Sequence, residues 1–159
     1  MKKVSPIDFM RAAVAEARRG VSKGEGGPFG AVVVKDGVII ARGCNRVVAS
    51  NDPTAHAEIV ALRRAAKKLG RFHLADCEIF TTCEPCPMCL AALQWARIRR
   101  FHYGCTRHDA ARLGFADRAI YDGLAGKPGK GAPRAIPLMR DACREVFDLW
   151  RGKNNKIRY

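Results

Sequence analysis

Two short stretches, Asn51-Asp-Pro-Thr-Ala-His56-Ala-Glu58 and Cys83-Glu-Pro-Cys86-Pro-Met-Cys89, decide the fold because each carries metal-binding residue types where a helix begins. Apolar residues recur at helical spacing after the first stretch, and a proline opens the helix in the second. Imidazole and thiolate groups are ligands that zinc prefers. The pattern therefore predicts one zinc ion per chain, bound by His56, Cys86 and Cys89 between two helix N-termini.

Glu58 lies two residues beyond His56 and cannot share the direction of that ligand along a helix. A carboxylate beside a metal that it does not bind is suited to proton transfer. Three protein ligands leave the fourth position of zinc for a water molecule, which the metal activates as hydroxide. We therefore expect a hydrolytic enzyme with Glu58 as its proton shuttle. The alternative is a zinc-binding module without activity, in which Glu58 would be idle.

Helices and strands alternate outward from these motifs, in the order αββαβαβ. The predicted elements are a helix from Ser5 to Gly20, strands over 29–34 and 38–42 around an Asp-Gly turn, a helix from Ile59 to Leu69 closed by Gly70, a strand over 77–82, a helix over 87–96, a strand over 100–103 and a last helix capped by Asp141 that ends near Trp150 or Gly152. Crossovers of this length favour parallel pairing. The order predicts an α/β fold, with a mixed sheet between helices.

Length and charge limit the class of protein. The chain has 159 residues, the usual size of one domain, and a formal net charge of +14. It contains no run of 18 apolar residues, so we expect no membrane partner and a place in the cytoplasm. Seven cysteines, three of them in one motif, favour reduced thiols that bind metal over a disulfide framework. The basic pairs are not interleaved with aromatic residues, so nucleic acid is a possible partner that charge alone does not favour.

Several further segments carry a closer resemblance to a known family. They are Gly26-Gly-Pro-Phe-Gly-Ala31, Ser50 to Glu58, Cys83 to Leu90, Trp95-Ala-Arg97, Asp109-Ala-Ala111, Gly114-Phe115 and the terminal Tyr159. With these segments the chain resembles bacterial guanine deaminases of the zinc-dependent cytidine deaminase superfamily over most of residues 5–121. The metal-binding motifs alone would fit cytosine, deoxycytidylate or tRNA adenosine deaminases equally well.

The resemblance implies a three-layer α/β/α fold with a mixed central sheet of about five strands. It implies hydrolysis of guanine, a small purine base, to xanthine and ammonia. It also implies a pocket for that base, lined by Asn45, Phe29, Ala57, Asp117 and Tyr159. A carboxylate such as Asp117 can accept the ring N–H groups of guanine, and leaving a buried partner of this kind unpaired costs about 1–3 kcal/mol.

The carboxyl-terminal part of the same single domain is expected to serve a second subunit. Residues 1–121 form the predicted deaminase core, and residues 122–159 form a hinge, the last helix and an active-site tail. The hinge, 122–134, is rich in Gly, Pro and Lys. The resemblance implies a homodimer in which these segments are exchanged, so that Tyr159 of one chain reaches the pocket of the other.

Other substrates stay open at this point. A tRNA adenosine deaminase would use the same motifs together with the basic surface, and would flip its target base out of an RNA loop. Related enzymes could act on another aminated purine, a nucleoside, a pterin or a triazine. Family members often have two consecutive acids after Gly114-Phe115, whereas Ala116 precedes Asp117 here.

Overall fold

A four-stranded sheet organises the chain, and a computed structural model describes residues 5–158 around it. The elements in chain order are α1 (Pro6–Ser22), β1 (Gly30–Lys35), β2 (Val38–Cys44), α2 (Val47–Ser50), α3 (Ala57–Leu69), β3 (Cys77–Cys83), α4 (Pro87–Trp95), β4 (Phe101–Cys105), α5 (Arg107–Arg112), α6 (Arg118–Leu124) and α7 (Arg140–Gly152).

The sheet is mixed, as predicted, with the strand order β2-β1-β3-β4. β1 pairs antiparallel with both β2 and β3, and β3 pairs parallel with β4. The β1–β2 turn holds Asp36 and Gly37 at φ values of 49° and 75°. Two consecutive residues with positive φ match the twist of a hairpin, which is why the Asp-Gly pair forms this turn. The parallel pair requires a crossover, and α4 provides it.

Helices cover both faces of the sheet and confirm the three-layer architecture. Val32 and Val34 of β1 pack on the α1 side with Phe9 and Phe80. The alternate residues of β1 pack on the other side, against apolar residues of α3 and α4. Because successive side chains of a strand point to opposite faces, this buried strand needs apolar residues at nearly every position.

The first helix extends two residues beyond its predicted end. Ser5 and Asp8 form a capping box at its start, as the sequence indicates. Gly20 lies inside the helix. A Cβ there would be only 2.9 Å from Cβ of Cys44. The glycine therefore permits close packing on β2 and does not end the helix. No helix within residues 5–158 is both long and apolar enough to cross a membrane.

The chain after β4 differs from the expectation of about five strands. Thr106 and Asp109 form a capping box that starts α5 directly after β4, and α6 follows. Four strands therefore make up the sheet within residues 5–158. The last helix begins two residues earlier than predicted, with Met139 in place of Asp141 at the cap position and in the left-handed conformation. Asp141 is not the cap; it lies in the first turn, where a negative charge favours the helix.

Gly43 of β2 sets how closely α3 approaches the sheet. A Cβ at this position would lie 2.5 Å from the carbonyl oxygen of Ala57 and 2.7 Å from the backbone nitrogen of Ala61. We expect Gly43→Ala to lower the free energy of unfolding by about 1–3 kcal/mol, because backbone atoms of α3 would have to move. Urea denaturation measures this change.

The matched control is Gly123→Ala in α6, where a Cβ would meet no atom within 4 Å. Alanine should be neutral or slightly stabilising there, since it has the higher helix propensity. Equal stability of the Gly43→Ala protein and the wild type would show that α3 tolerates displacement from β2.

Candidate active site

Two helix N-termini hold the predicted metal ligands. His56 is the N-cap residue of α3 and Cys86 is the N-cap residue of α4, both with extended backbone. A cap side chain commonly accepts hydrogen bonds from its own helix, but neither of these two does so. Both side chains instead turn toward each other, and Cys89 joins them from the first turn of α4.

The three ligand atoms have the spacing of a zinc site. Nδ1 of His56 lies 3.5 Å from Sγ of Cys86 and 3.6 Å from Sγ of Cys89. All three atoms lie within 4.8 Å of one another. Tetrahedral zinc with ordinary Zn–N and Zn–S bond lengths places its nitrogen and sulfur ligands about 3.5 Å apart. The donor set and the spacing of its atoms therefore fit zinc, which these three residues would hold.

The electrostatics of the two helix starts favour a thiolate. The pKa of Cys86 is lowered to about 4, mainly because the Cys89 thiol donates a hydrogen bond to its sulfur, with a further contribution from His56. The pKa of Cys89 is raised because this thiol keeps the shared proton. The positive ends of α3 and α4 point at the same sulfur atoms. A divalent metal would displace the remaining proton, since it binds thiolates.

Glu58 is buried beside the three ligands, with only 6% of its surface exposed. Burial raises its pKa to about 6, and the nearby Cys86 thiolate adds to that rise. A carboxyl group that gains and loses a proton near neutrality is well suited to general acid and base chemistry. Ala57 begins α3, so its backbone N–H has no partner within the helix.

Asn45, the first residue after β2, lies against the loop after α1. It is 4% exposed, and its Oδ1 accepts hydrogen bonds of 3.2 Å from the backbone N–H groups of Gly27 and Val47. Within residues 5–158 its Nδ2 makes no hydrogen bond, which leaves a fixed amide donor. The next residue, Arg46, donates its backbone N–H to the carbonyl of Ala55 at 2.9 Å, so the segment after β2 lies against the residue that precedes His56.

Phe29 and Asp117 are both associated with the segment that follows β4: Phe29 contacts it and Asp117 belongs to it. The ring of Phe29 meets the ring of Phe115 edge to face, with centroids 5.0 Å apart. Asp117 is half-buried in a cavity of about 300 Å³, which Arg107 and Tyr121 also line. Burial raises the pKa of Asp117, and the Cys86 thiolate contributes to this shift. Tyr159, the remaining predicted pocket residue, lies outside the described residues.

Three contacts on this side were not predicted. The aromatic contact of Phe115 with Phe29 was signalled only by the Gly114-Phe115 pair. Glu84, inside the cysteine motif, accepts a 3.0 Å hydrogen bond from the backbone N–H of Arg107 and so ties the start of α4 to α5. The guanidinium of Arg107 lies over the Tyr121 ring. No sequence signal connects Glu84, Arg107 and Tyr121, because their contacts depend on how the chain turns after β4.

Comparison with known proteins gives close relatives. The family model of the cytidine and deoxycytidylate deaminase zinc-binding region matches residues 4–105. Guanine deaminase of Bacillus subtilis (strain 168) is 49% identical over 154 residues, which are 95% of this chain and 97% of that protein. The X-ray structure of guanine deaminase from B. subtilis has a TM-score of 0.90 at 46% sequence identity, and the match covers 98% of this chain and 99% of that chain.

Two further relatives match a shorter part of the chain or match it at lower identity. The tRNA-specific adenosine deaminase of Agrobacterium fabrum is 49% identical over 96 residues, which are 60% of this chain and 62% of that protein. A structure of guanine deaminase from Nitrosomonas europaea has a TM-score of 0.69 at 30% identity, over 92% of this chain and 84% of that chain. The chain belongs to the zinc-binding cytidine and deoxycytidylate deaminase family, among its bacterial guanine deaminases.

Proposed function

We propose that this enzyme hydrolyses guanine to xanthine and ammonia. One observation carries the proposal: the likeness to B. subtilis guanine deaminase extends through almost the whole chain, including the parts beyond the metal-binding motifs. The zinc geometry of His56, Cys86 and Cys89 supports a hydrolytic reaction.

Glu58 moves the protons of this reaction. A bound zinc ion lowers the pKa of a water molecule and so provides the nucleophile. Glu58 accepts one proton of the attacking water and delivers it to a ring nitrogen, and it later moves the second proton, from the new hydroxyl group, to the departing amine. A C–O bond forms at the carbon that bears the amino group, the C–N bond breaks, and ammonia leaves.

The other pocket residues select the base. The free Nδ2 of Asn45 donates to an acceptor of guanine, and the N–H of Ala57 does the same at the start of α3. Phe29 packs against the flat ring. Asp117 accepts ring N–H groups, and its raised pKa indicates a partly desolvated carboxyl group that benefits from such donors.

A tRNA adenosine deaminase is the second candidate, because the net charge of +14 suits a polyanion. The relative from A. fabrum that acts on tRNA matches only 60% of this chain, whereas the guanine deaminase of B. subtilis matches 95%. The longer match favours guanine. A panel of substrates separates the two candidates.

The carboxyl-terminal segment supports a homodimer with exchanged last helices. Every residue of α7 is exposed, and Cys143, Val146, Phe147 and Trp150 recur at the spacing of one helix face. Phe147 is 73% exposed. An amphipathic helix gains stability by burying such a face, and a second copy of this chain can bury it. In this arrangement Tyr159 closes the partner's pocket and excludes water from the reacting base.

The cytoplasm is the compartment that suits this function. Cys86 and Cys89 must stay reduced to bind zinc as thiolates. A reducing compartment keeps them so.

Glu58→Gln should abolish turnover while keeping one zinc ion per chain, because the amide cannot move protons and the residue does not bind metal. Cys86→Ala should lose the metal as well as the activity. Zinc content by atomic absorption and release of ammonia measure both effects. Glu78→Gln, which removes a carboxylate paired with His102 away from the site, is the control and should keep full activity. Loss of zinc from Glu58→Gln would assign this glutamate to the metal.

Guanine should be deaminated, and adenine and cytosine should be poorer substrates by about a hundredfold or more, the discrimination that a hydrogen-bonding pocket can reach. Ammonia release from free bases, guanosine, a pterin, an aminotriazine and a tRNA anticodon stem-loop measures kcat/KM for each. Equal turnover of adenosine in the stem-loop would overturn the assignment to guanine.

Deletion of residues 156–159 should keep the zinc and the dimer but lower kcat/KM for guanine by about tenfold or more, because the pocket would stay open to water. Light scattering tests whether the dimer remains, and steady-state kinetics measures kcat/KM for guanine. Tyr159→Phe is the control, since it keeps an aromatic ring at the terminus. Full activity of the shortened chain would show that the tail takes no part in the reaction.

A further inference from the structure

Glu25, in the loop after α1, lies at the centre of a polar network that the proposed reaction does not use. Its Oε2 accepts a 2.9 Å hydrogen bond from the Cys44 thiol and pairs with Arg19 at 3.4 Å. Its Oε1 pairs with Arg46 at 3.0 Å. Arg19 also contacts Sγ of Cys44 at 2.9 Å. The carboxylate therefore binds Arg19 of α1 and the two sequence neighbours of Asn45, which are Cys44 and Arg46.

The same loop is bound to the segment that carries Asn45. The backbone carbonyl of Glu25 accepts a hydrogen bond from the N–H of Ala49, and the N–H of Asn45 donates to the carbonyl of Phe29. Oδ1 of Asn45 accepts from the N–H of Gly27. Segments 25–29 and 45–49 are thus joined by backbone and side-chain bonds in both directions.

Gly26 makes this contact tight. A Cβ at Gly26 would overlap Oδ1 of Asn45, so the amide lies directly against the loop backbone. Any displacement of residues 25–27 must therefore turn or shift the Asn45 amide. Because the Oδ1 atom is held by two backbone donors, the direction of Nδ2 depends on where the loop lies.

We propose that Glu25 is a positioning residue that fixes the direction in which the Asn45 amide donates to the base. This inference rests on the proposed function, in which Asn45 contacts guanine. Glu25 touches neither the metal ligands nor the base in this assignment. It acts through Cys44, Arg46 and the loop that contains Gly27.

The charge of Glu25 is essential to this role. The hydrogen bond from Cys44, followed by the charges of Arg19 and Arg46, lowers its pKa, so the group is ionised at neutral pH. An ionised carboxylate has two oxygens that can accept from all three partners. A glutamine has one acceptor oxygen and would turn an N–H donor toward a guanidinium or a thiol. The network would then lose at least one of its links.

The test compares Glu25→Gln with Glu16→Gln. Both carboxylates bind Arg19, but Glu16 makes no hydrogen bond or ion pair with Cys44 or Arg46. We expect Glu25→Gln to raise KM for guanine about tenfold with little change in kcat or zinc content, as expected for lost binding of the ground state and the transition state alike. Glu16→Gln should match the wild type.

A double-mutant cycle with Asn45→Ala separates positioning from general destabilisation. If Glu25 acts through Asn45, Glu25→Gln should have no further effect on KM in the Asn45→Ala protein. An equal effect in both backgrounds, an equal effect of Glu16→Gln, loss of zinc, or an unchanged KM in Glu25→Gln would each overturn the proposal. If Glu25→Gln does not fold, Arg46→Gln takes its place in the same cycle, with a smaller rise in KM expected.

The wild type provides the check on the proposed function. If the wild-type enzyme does not deaminate guanine, the assignment of substrate fails, and the cycle is measured with whichever amine the panel identifies. If guanine is turned over but Asn45→Ala matches the wild type, the cycle has no coupling to show and the role of Glu25 fails alone.

Discussion

The structure depends on one meeting point, where the N-termini of α3 and α4 lie close enough for an imidazole and two sulfurs to share a metal ion. α3 reaches this point because Gly43 lets its backbone pack directly on β2. α4 reaches it because the parallel pair β3–β4 requires a crossover helix that begins at the end of β3. Both helices point their positive ends at the thiols, and the pKa of Cys86 is lowered to about 4, which favours a thiolate at that residue before any metal arrives.

The same meeting point explains why acid–base chemistry is possible there. Burial against α3 and α4 removes water from Glu58 and raises its pKa, while the helix start leaves the N–H of Ala57 without a helical partner. Burial alone would disfavour a charged carboxylate at this position. A bound cation compensates for that cost by stabilising the charged carboxylate. The glutamate can therefore lose a proton and regain it during the reaction.

Local signals explain which parts were predictable. The hairpin, the capping box of α1, the end of α3 at Gly70 and the metal ligands each depend on residues close together in sequence, and all are confirmed. The packing of Gly20 inside α1 and the network around Glu25 both depend on Cys44. Cys44 is 25 residues from Arg19 and 19 residues from Glu25 in the sequence, and only the folded sheet brings them into contact. Four strands, where about five were expected, follow from the capping box that starts α5.

In the proposed pocket, substrate choice depends partly on a segment that lies beyond the residues of the metal site. The family model ends at residue 105, before α5, and already contains His56, Glu58, Cys86 and Cys89. A relative that acts on tRNA shares 49% identity over 96 residues, so the metal site alone does not distinguish a base in RNA from a free one. In the pocket that we propose, the segment beyond residue 105 contributes to this distinction, because it sets Phe115 against Phe29 and places Asp117 in a cavity. Discrimination between bases comes from hydrogen bonds to ring groups, whereas hydrolysis comes from the metal and its proton shuttle. A change in the segment after β4 can therefore alter the choice of base while the residues that bind the metal stay the same.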